Sequence, residues 1–302
     1  MTFEGIRGEV LFGEPMSGHT SYKIGGTADV FVCPADREDL VRLLGLIRAQ
    51  GLRFVIVGGG TNLLVRDGGY RGVVINLRKL NAINVVREYR SVGGAFAVVQ
   101  AEAGAPLAKL LSYATDRGLT GLEFAAGIPG TVGGALCMNA GTAQGEIGGI
   151  TDTVTMLTAA GEPVVRHRDE MAFSYRTANV PAGHVILEAK VILRLGERDQ
   201  VRAAVKELIQ QRRERQPWGL PNAGSVFKNP LDEAAGRLIE SAGLKGLTVG
   251  RAQVSEKHAN FIVNLGGATA AEVLKLMELV RDRVLDVHKI RLEPEITIIG
   301  ED

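Results

Sequence analysis

Four short polar groupings in this 302-residue chain carry side chains able to do chemistry. In Phe173-Ser174-Tyr175-Arg176 a guanidinium follows an aromatic ring. Such an arginine either clamps a carboxylate through two parallel hydrogen bonds or is an ordinary surface strand residue. In Pro221-Asn222-Ala223-Gly224-Ser225-Val226-Phe227-Lys228-Asn229-Pro230, Ser225 stands three positions before Lys228. That is the S-x-x-K spacing of serine acylases, where an amine activates a hydroxyl nucleophile. The Ser-Asp-Asn and Lys-Thr-Gly partners of that class are missing from the sequence. Asn229-Pro230 also opposes a long helix through both residues, because the residue before proline avoids the helical region. The plain alternative is a polar turn. In Gln253-Val254-Ser255-Glu256-Lys257-His258-Ala259-Asn260-Phe261, His258 with Ser255 and Glu256 invites a triad. Triads are defined by geometry rather than adjacency, and a histidine that hydrogen-bonds its own loop fits the same pattern. In Leu292-Glu293-Pro294-Glu295-Ile296, strand alternation places Glu293 and Glu295 on one side and Ile296 on the other. One carboxylate can then be drawn into a site while the other stays solvated.

Two glycine-rich stretches supply a different chemistry, contact through bare main chain. Phe124 to Gly145 is a run of 22 residues without a charge, holding six glycines and Pro129. Its length suggests a membrane span, but its glycines and proline weaken a continuous helix. The segment suits a large flat ligand pressed against backbone, or a loop buried on its own core. In the second stretch the apolar run Phe54-Val55-Ile56-Val57 leads into Gly58-Gly59-Gly60-Thr61-Asn62. A strand entering consecutive glycines presents amides to a pyrophosphate. Leu63 occupies the third glycine position of a Rossmann fingerprint, and no Gly-Lys-Ser/Thr closes a P-loop. A dinucleotide on another fold is therefore expected.

The elements that must position these groups are mixed α and β. Strand character marks Ala28 to Val32, Phe54 to Val57, Val73 to Leu77, Val85-Val86 and Ala95 to Ala101. Asp36 caps a helix with an apolar face of Leu40, Val41, Leu43, Leu44 and Ile47. Pro106 opens another, with Leu107, Leu110, Leu111 and Ala114 inward. Ala160-Gly161-Glu162 signals a hairpin between Thr153 to Leu157 and Pro163 to Val165, and Val185 to Leu195 reads as a strand. Gly196-Glu197-Arg198-Asp199 is the expected boundary to a C-terminal lobe. Beyond it lie a helix through Val201, Val205, Leu208 and Ile209 to Arg215, and another around Leu238 stopped at Gly243. A strand follows over Phe261 to Asn264, then a long helix from the capping box Thr269-Ala270-Ala271-Glu272, and a final strand over Ile296 to Ile299.

Composition narrows the class. Apolar residues make up 45% and charged residues 23%, ordinary for a globular protein of about two or three domains. A net charge of +1 gives no field to attract nucleic acid or an anionic membrane. Glu4 and Glu9 lie where a secretory signal needs an apolar core, so a cytoplasmic protein is expected. Cys33 and Cys137 sit among apolar residues and are expected as two reduced, buried thiols. They and the five scattered histidines show no ligand spacing, so no metal is expected.

Taken in order, these motifs resemble the UDP-N-acetylenolpyruvoylglucosamine reductase family. The resemblance runs from about Ser21 to Gly300 and rests on Tyr22-Lys23-Ile24-Gly25-Gly26, the Val57 to Val65 segment, Gly121-Leu122-Glu123-Phe124 with Gly127 to Gly134, and Met138-Asn139-Ala140-Gly141. It continues through Tyr175-Arg176, Gly224 to Pro230, Ser255 to Phe261 and Leu292 to Glu295. It implies an α+β fold: two FAD-binding subdomains of the vanillyl-alcohol-oxidase type, over 1–83 and 84–196, and a substrate lobe over 197–302. FAD is implied to be non-covalent, with NADPH as reductant and UDP-N-acetylglucosamine enolpyruvate as substrate, in peptidoglycan synthesis. Neither nucleic acid, nor membrane insertion, nor an obligate protein partner is expected.

The family's catalytic positions fall on Arg176, Ser225 and Glu295. Flavin contacts are implied at Gly58, Gly59, Gly60, Thr61, Asn62, Leu63, Gly127, Ile128, Pro129, Gly130, Gly133, Gly134 and Gly141, and substrate contacts at Tyr175, Lys228 and Asn229. The implied chemistry is hydride from flavin N5 and a proton from Ser225, with Lys228 a candidate to activate that serine. The length resembles the shorter subtype, without the segment that carries a substrate-covering tyrosine. One departure stands out: Thr142-Ala143-Gln144 replaces the family's usual Ala-Tyr-Gly. Three further readings stay open on the residues alone: an alcohol oxidase or dehydrogenase of the same fold, a serine acylase, and a non-catalytic nucleotide-binding module.

Overall fold

The computed structural model describes all of residues 1–302. Two compact units are present. Met1–Leu11, Phe31–Gly59 and Val73–Gln211 form the first; Phe12–Val30, Gly60–Gly72 and Arg212–Asp302 form the second.

In the first unit the helix Arg37–Ala49 begins where Asp36, in extended conformation, accepts from the Asp39 N–H at 2.9 Å. Leu40, Leu43, Leu44 and Ile47 are buried as the periodicity requires, but Val41 is exposed, because it sits about 100° round the helix from Leu40. Asp39 is itself buried. Burial alone would raise its carboxyl, but the N–H groups of Ala35, Arg7 and Gly8 hold it below the usual carboxylate value. The strand Phe54–Ile56 runs parallel to Val73–Ile75, in register Phe54 to Val73. Pro106 caps the helix Leu107–Asp116, where a missing N–H costs nothing, and Leu107, Leu110, Leu111 and Ala114 are buried.

The largest sheet of this unit is antiparallel. Its order is Pro163–His167, Thr151–Leu157, Val185–Leu195, Gly94–Glu102, Ile83–Ser91, with Leu119–Thr120 also beside Val185–Leu195. Glu188, buried in the long strand, bonds Arg37, which also meets Glu102 at 3.0 Å, while Gln100 donates to Glu188 at 2.8 Å. A buried carboxylate is tolerated only with such partners.

The neutral glycine-rich run is broken rather than helical throughout. It holds part of a 3-10 turn, Glu123–Ala125, the short helix Val132–Cys137 and the small hairpin Gly141–Thr142 with Gly145–Glu146. No helix of the protein is long and apolar enough to cross a membrane. Cys33 is buried, which pushes its thiol up, but Cys137 is exposed, contrary to expectation. The short helix turns Val132, Ala135 and Leu136 inward and leaves its last residue outside.

The second unit has a continuous apolar core that includes Tyr22, Leu64, Phe227, Leu238, Val273 and Leu276. The Tyr22 hydroxyl is satisfied by the Ile262 carbonyl at 2.9 Å, as a fully buried phenol requires. The capping box forms: Thr269 Oγ1 accepts from Glu272 N at 3.1 Å and Glu272 Oε2 accepts from Thr269 N at 3.1 Å. It starts the helix Ala270–His288, whose next orphan N–H groups, at Ala270 and Ala271, go to Asp67 at 2.8 and 2.9 Å. Thr248–Val249, Ala252–Val254 and Ile262–Asn264 make a small antiparallel sheet. Thr297–Ile299 pairs in parallel with Leu63–Val65, a strand that the sequence pattern did not reveal. The helix Arg198–Arg215 passes through the division between the units, and of its predicted stripe only Val201 is buried.

Candidate active site

The first unit builds a bare-backbone surface from the Phe124 to Gly145 run and from Gly58 and Gly59 of the second glycine-rich stretch. Asn76 is buried and donates to the carbonyls of Val57 at 2.9 Å and Gly58 at 3.0 Å, while its own oxygen accepts from Arg78 N. With those carbonyls held, the N–H groups of Gly58 and Gly59 have no partner within the chain. A Cβ on Gly58 would lie 2.4 Å from Thr131 Oγ1, so only glycine lets the two stretches meet. Thr131 in turn caps the helix Val132–Cys137.

Among the predicted flavin contacts, Gly133 has a packing role: its N–H bonds Ala103 O at 2.8 Å, and a Cβ would strike the Ala103 side chain. Gly134 is exposed, and Gly127, Ile128 and Gly130 are half-buried. Unpaired amides beside accessible glycines fit a flavin nucleotide, which needs anion-binding N–H groups and close approach of a ring to main chain.

Arg176 belongs to this unit. It sits in a tight turn closed by mutual backbone bonds between Ser174 and Thr177, each 3.1 Å, with φ of +58°. Its Nη1 donates to Gly141 O at 3.4 Å, and its guanidinium lies 5.1 Å from the ring centre of Tyr175, which is exposed. Asn139 was not among the sequence-derived site residues. It is buried, donates to Ser174 O at 3.0 Å and accepts from Gly148 N at 3.0 Å, so it carries the arginine turn. The signal was there: Asn139 is one of two carboxamides in an uncharged run. The departure at Thr142-Ala143-Gln144 forms a local turn in which Thr142 donates to the Gln144 side chain at 2.6 Å.

The segments that carry Ser225 and Glu295 pair in the second unit. Phe227 and Pro294 form an antiparallel bridge, with Glu295 N on Val226 O and Lys228 N on Glu293 O, both 2.8 Å. The Glu295 segment is also tied to the glycine loop, since Asn62 Nδ2 donates to Glu295 O at 3.1 Å. Of the two glutamates left open by the sequence, Glu293 has a side chain 74% exposed, and Glu295 is half-buried.

Lys228 Nζ stands 3.7 Å from the exposed Glu293, and Asn229 Oδ1 accepts from Ala235 N at 3.0 Å, starting the helix Ala235–Ser241. His258 is no triad member with its sequence neighbours. Its Nδ1 accepts from Asn260 N at 3.3 Å, its ring meets Phe261 edge-on, and Ser255 Oγ turns back to the N–H groups of Lys257 and His258. Burial holds the imidazole below its ordinary value.

Comparison with known proteins matches these features. A family model described as FAD binding domain matches residues 28–165, and one described as UDP-N-acetylenolpyruvoylglucosamine reductase, C-terminal domain, matches residues 216–299. The protein is thus a flavoprotein oxidoreductase with an FAD-binding domain of the vanillyl-alcohol-oxidase type. A UDP-N-acetylenolpyruvoylglucosamine reductase from Geobacter metallireducens is 47% identical over 299 residues, covering 98% of this chain and 96% of the relative. One from Geotalea uraniireducens is 42% identical over 297 residues, with the same two coverages. The crystal structure of the Thermus caldophilus reductase is 34% identical, covers 97% of this chain and 98% of its own, and superposes with a TM-score of 0.80. The chain belongs to the UDP-N-acetylenolpyruvoylglucosamine reductase family, whose reaction serves peptidoglycan synthesis.

Proposed function

We propose that this chain reduces the enolpyruvyl ether of UDP-N-acetylglucosamine enolpyruvate to a lactyl ether, in the cytoplasm, with NADPH as the source of electrons. Residues 1–83 and 84–196 serve as the two flavin subdomains and 197–302 as the substrate lobe. FAD held there would supply the redox chemistry, hydride transfer between NADPH and the substrate alkene. Substrate, NADPH and one proton give the saturated ether and NADP⁺.

The protein's part is charge and proton placement. Negative charge develops on the carbon beside the one reduced and spreads into the substrate carboxylate. Arg176 holds that carboxylate with its planar fork. Glu295 polarises it as the neutral acid or through a water. Ser225 delivers the proton to the adjacent carbon. The Gly58 and Gly59 amides would hold the flavin pyrophosphate.

The observation that carries this reading is the main-chain pairing of Val226 with Glu295, which seats a hydroxyl and a carboxyl on adjoining segments. A serine acylase would need a free amine beside Ser225, whereas Lys228 faces Glu293.

The test separates the half-reactions. Ser225→Ala should leave flavin reduction by NADPH intact and slow flavin reoxidation by substrate by at least ~10²-fold, the lower range for a general acid. Equal slowing of both steps would remove Ser225 from its role. Purified protein that consumes no NADPH on addition of the enolpyruvyl sugar nucleotide would overturn the whole reading.

A further inference from the structure

We propose that Asn260 is a positioning residue that sets the Ser225 hydroxyl for proton delivery; the inference rests on the role given to Ser225 above. Asn260 is buried, and its carboxamide and main-chain carbonyl are spent on the two residues that follow the serine. Its Oδ1 accepts from Phe227 N at 3.0 Å and its Nδ2 donates to Phe227 O at 2.8 Å. Its main-chain oxygen accepts from Val226 N at 2.8 Å. The fourth main-chain group of this dipeptide, Val226 O, takes the Glu295 N–H. Three of the four groups that fix the segment after Ser225 therefore belong to Asn260.

The carboxamide acts as a substitute strand. It presents one donor and one acceptor in a plane, as a neighbouring peptide group would. It does so on one side of Val226-Phe227 while residues 293–295 pair on the other.

On the other flank of Ser225 the main-chain anchors lie farther from the serine, where Pro221 O accepts from Asn264 N at 2.9 Å and Asn222 O from Ser21 Oγ at 2.6 Å. Gly224 has φ of +77° with open space where a Cβ would lie, and its N–H donates to the Asn222 side chain at 2.9 Å. The direction of the Ser225 side chain is thus decided from the Asn260 side. Asn260 itself is held in place, because its N–H donates to His258 Nδ1 at 3.3 Å. No other side chain of the 255–260 loop bonds the Val226-Phe227 backbone.

A proton donor displaced by an ångström loses about 10- to 10²-fold in rate without any change in its chemistry. Asn260→Ala should therefore keep a full complement of FAD and reduce it with NADPH within about twofold of the parent, while the limiting rate of flavin reoxidation at saturating substrate falls about 10- to 10²-fold. Asn260→Asp keeps the volume and the acceptor for Phe227 N–H but loses the donor. It should be slowed in the same half-reaction, and it carries the test if the alanine variant does not fold.

Because Asn260 acts through Ser225, the double variant Ser225→Ala/Asn260→Ala should reoxidise no more slowly than Ser225→Ala alone. A fall in substrate affinity with the limiting rate intact, or additive slowing in the double variant, would overturn the positioning role and leave only a structural one. If Ser225→Ala slows reoxidation and neither Asn260 variant does, this inference fails and the function stands. If Ser225→Ala itself has no effect, both fail together.

Discussion

Asn62 and Glu295 are joined through a side-chain amide and a main-chain carbonyl, Nδ2 to O at 3.1 Å. The main-chain oxygen of Asn62 accepts from Thr297 N at 2.9 Å, so residue 62 brackets Ile296 from both sides. The loop that begins with Gly60 and the segment that carries Glu295 are thereby tied at two points. Asn62→Ala removes the hydrogen bond from the side-chain amide, at a cost of about 1 kcal/mol to stability. The expected outcome is a joint loss, with weaker flavin retention and lower turnover in the same variant. Flavin titration of the apoprotein beside steady-state rates checks it, and two unchanged values would break the link.

Gly60 has φ of +61°, and a Cβ there would lie 2.1 Å from His19 O. Gly60→Ala combines a left-handed penalty of about 1–2 kcal/mol with a backbone clash that cannot relax cheaply. The variant should melt lower and purify with less flavin. Gly13, also at positive φ but with open space around it, is the control: Gly13→Ala should show only the conformational penalty.

Arg176→Lys keeps the charge but not the fork. Loss of one charge-assisted hydrogen bond is worth about 1.5–3 kcal/mol, tenfold or more in kcat/KM. Reduction of the flavin by NADPH should be unaffected. Turnover equal to the parent's would show that no carboxylate is clamped there.

His258 makes stability fall on mild acidification. Burial lowers its native value, and Lys245 adds to this while Glu240 opposes it. The unfolded chain then takes up the proton first. The contribution is full above the unfolded imidazole value of about 6.5 and is lost as pH drops from there toward the lower native value. Protonation also removes the lone pair that accepts from Asn260 N. Urea midpoints between about pH 7.5 and pH 5 should fall for the parent and fall less steeply for His258→Gln. Equal slopes would place the titrating group elsewhere.

Much of the fold was legible because it is written in local periodicity and capping. The inward stripe of Leu107–Asp116, the cap at Asp36 and the Thr269–Glu272 box all formed as read. Misplaced details have local causes too: Val41 is rotated off its stripe, and Cys137 ends a helix only six residues long. The strand Leu63–Val65 was invisible because three apolar residues carry no period, and its partner Thr297–Ile299 is distant in sequence.

The same division holds for the chemistry. Residue types and their order were enough to single out the glycine-rich stretches and the groupings around Arg176, Ser225 and Glu295 as candidates, and to identify the family to which the chain belongs. Which asparagine faces which backbone was not in the string. Asn76 on Val57 and Gly58, Asn139 on Ser174, Asn62 on Glu295 and Asn260 on Phe227 are contacts across 18 to 233 positions. A carboxamide looks alike in any sequence. Its meaning comes from the unpaired peptide group it meets once the chain has closed, and only tertiary structure decides that, because a buried N–H or C=O must find a partner wherever the fold leaves it.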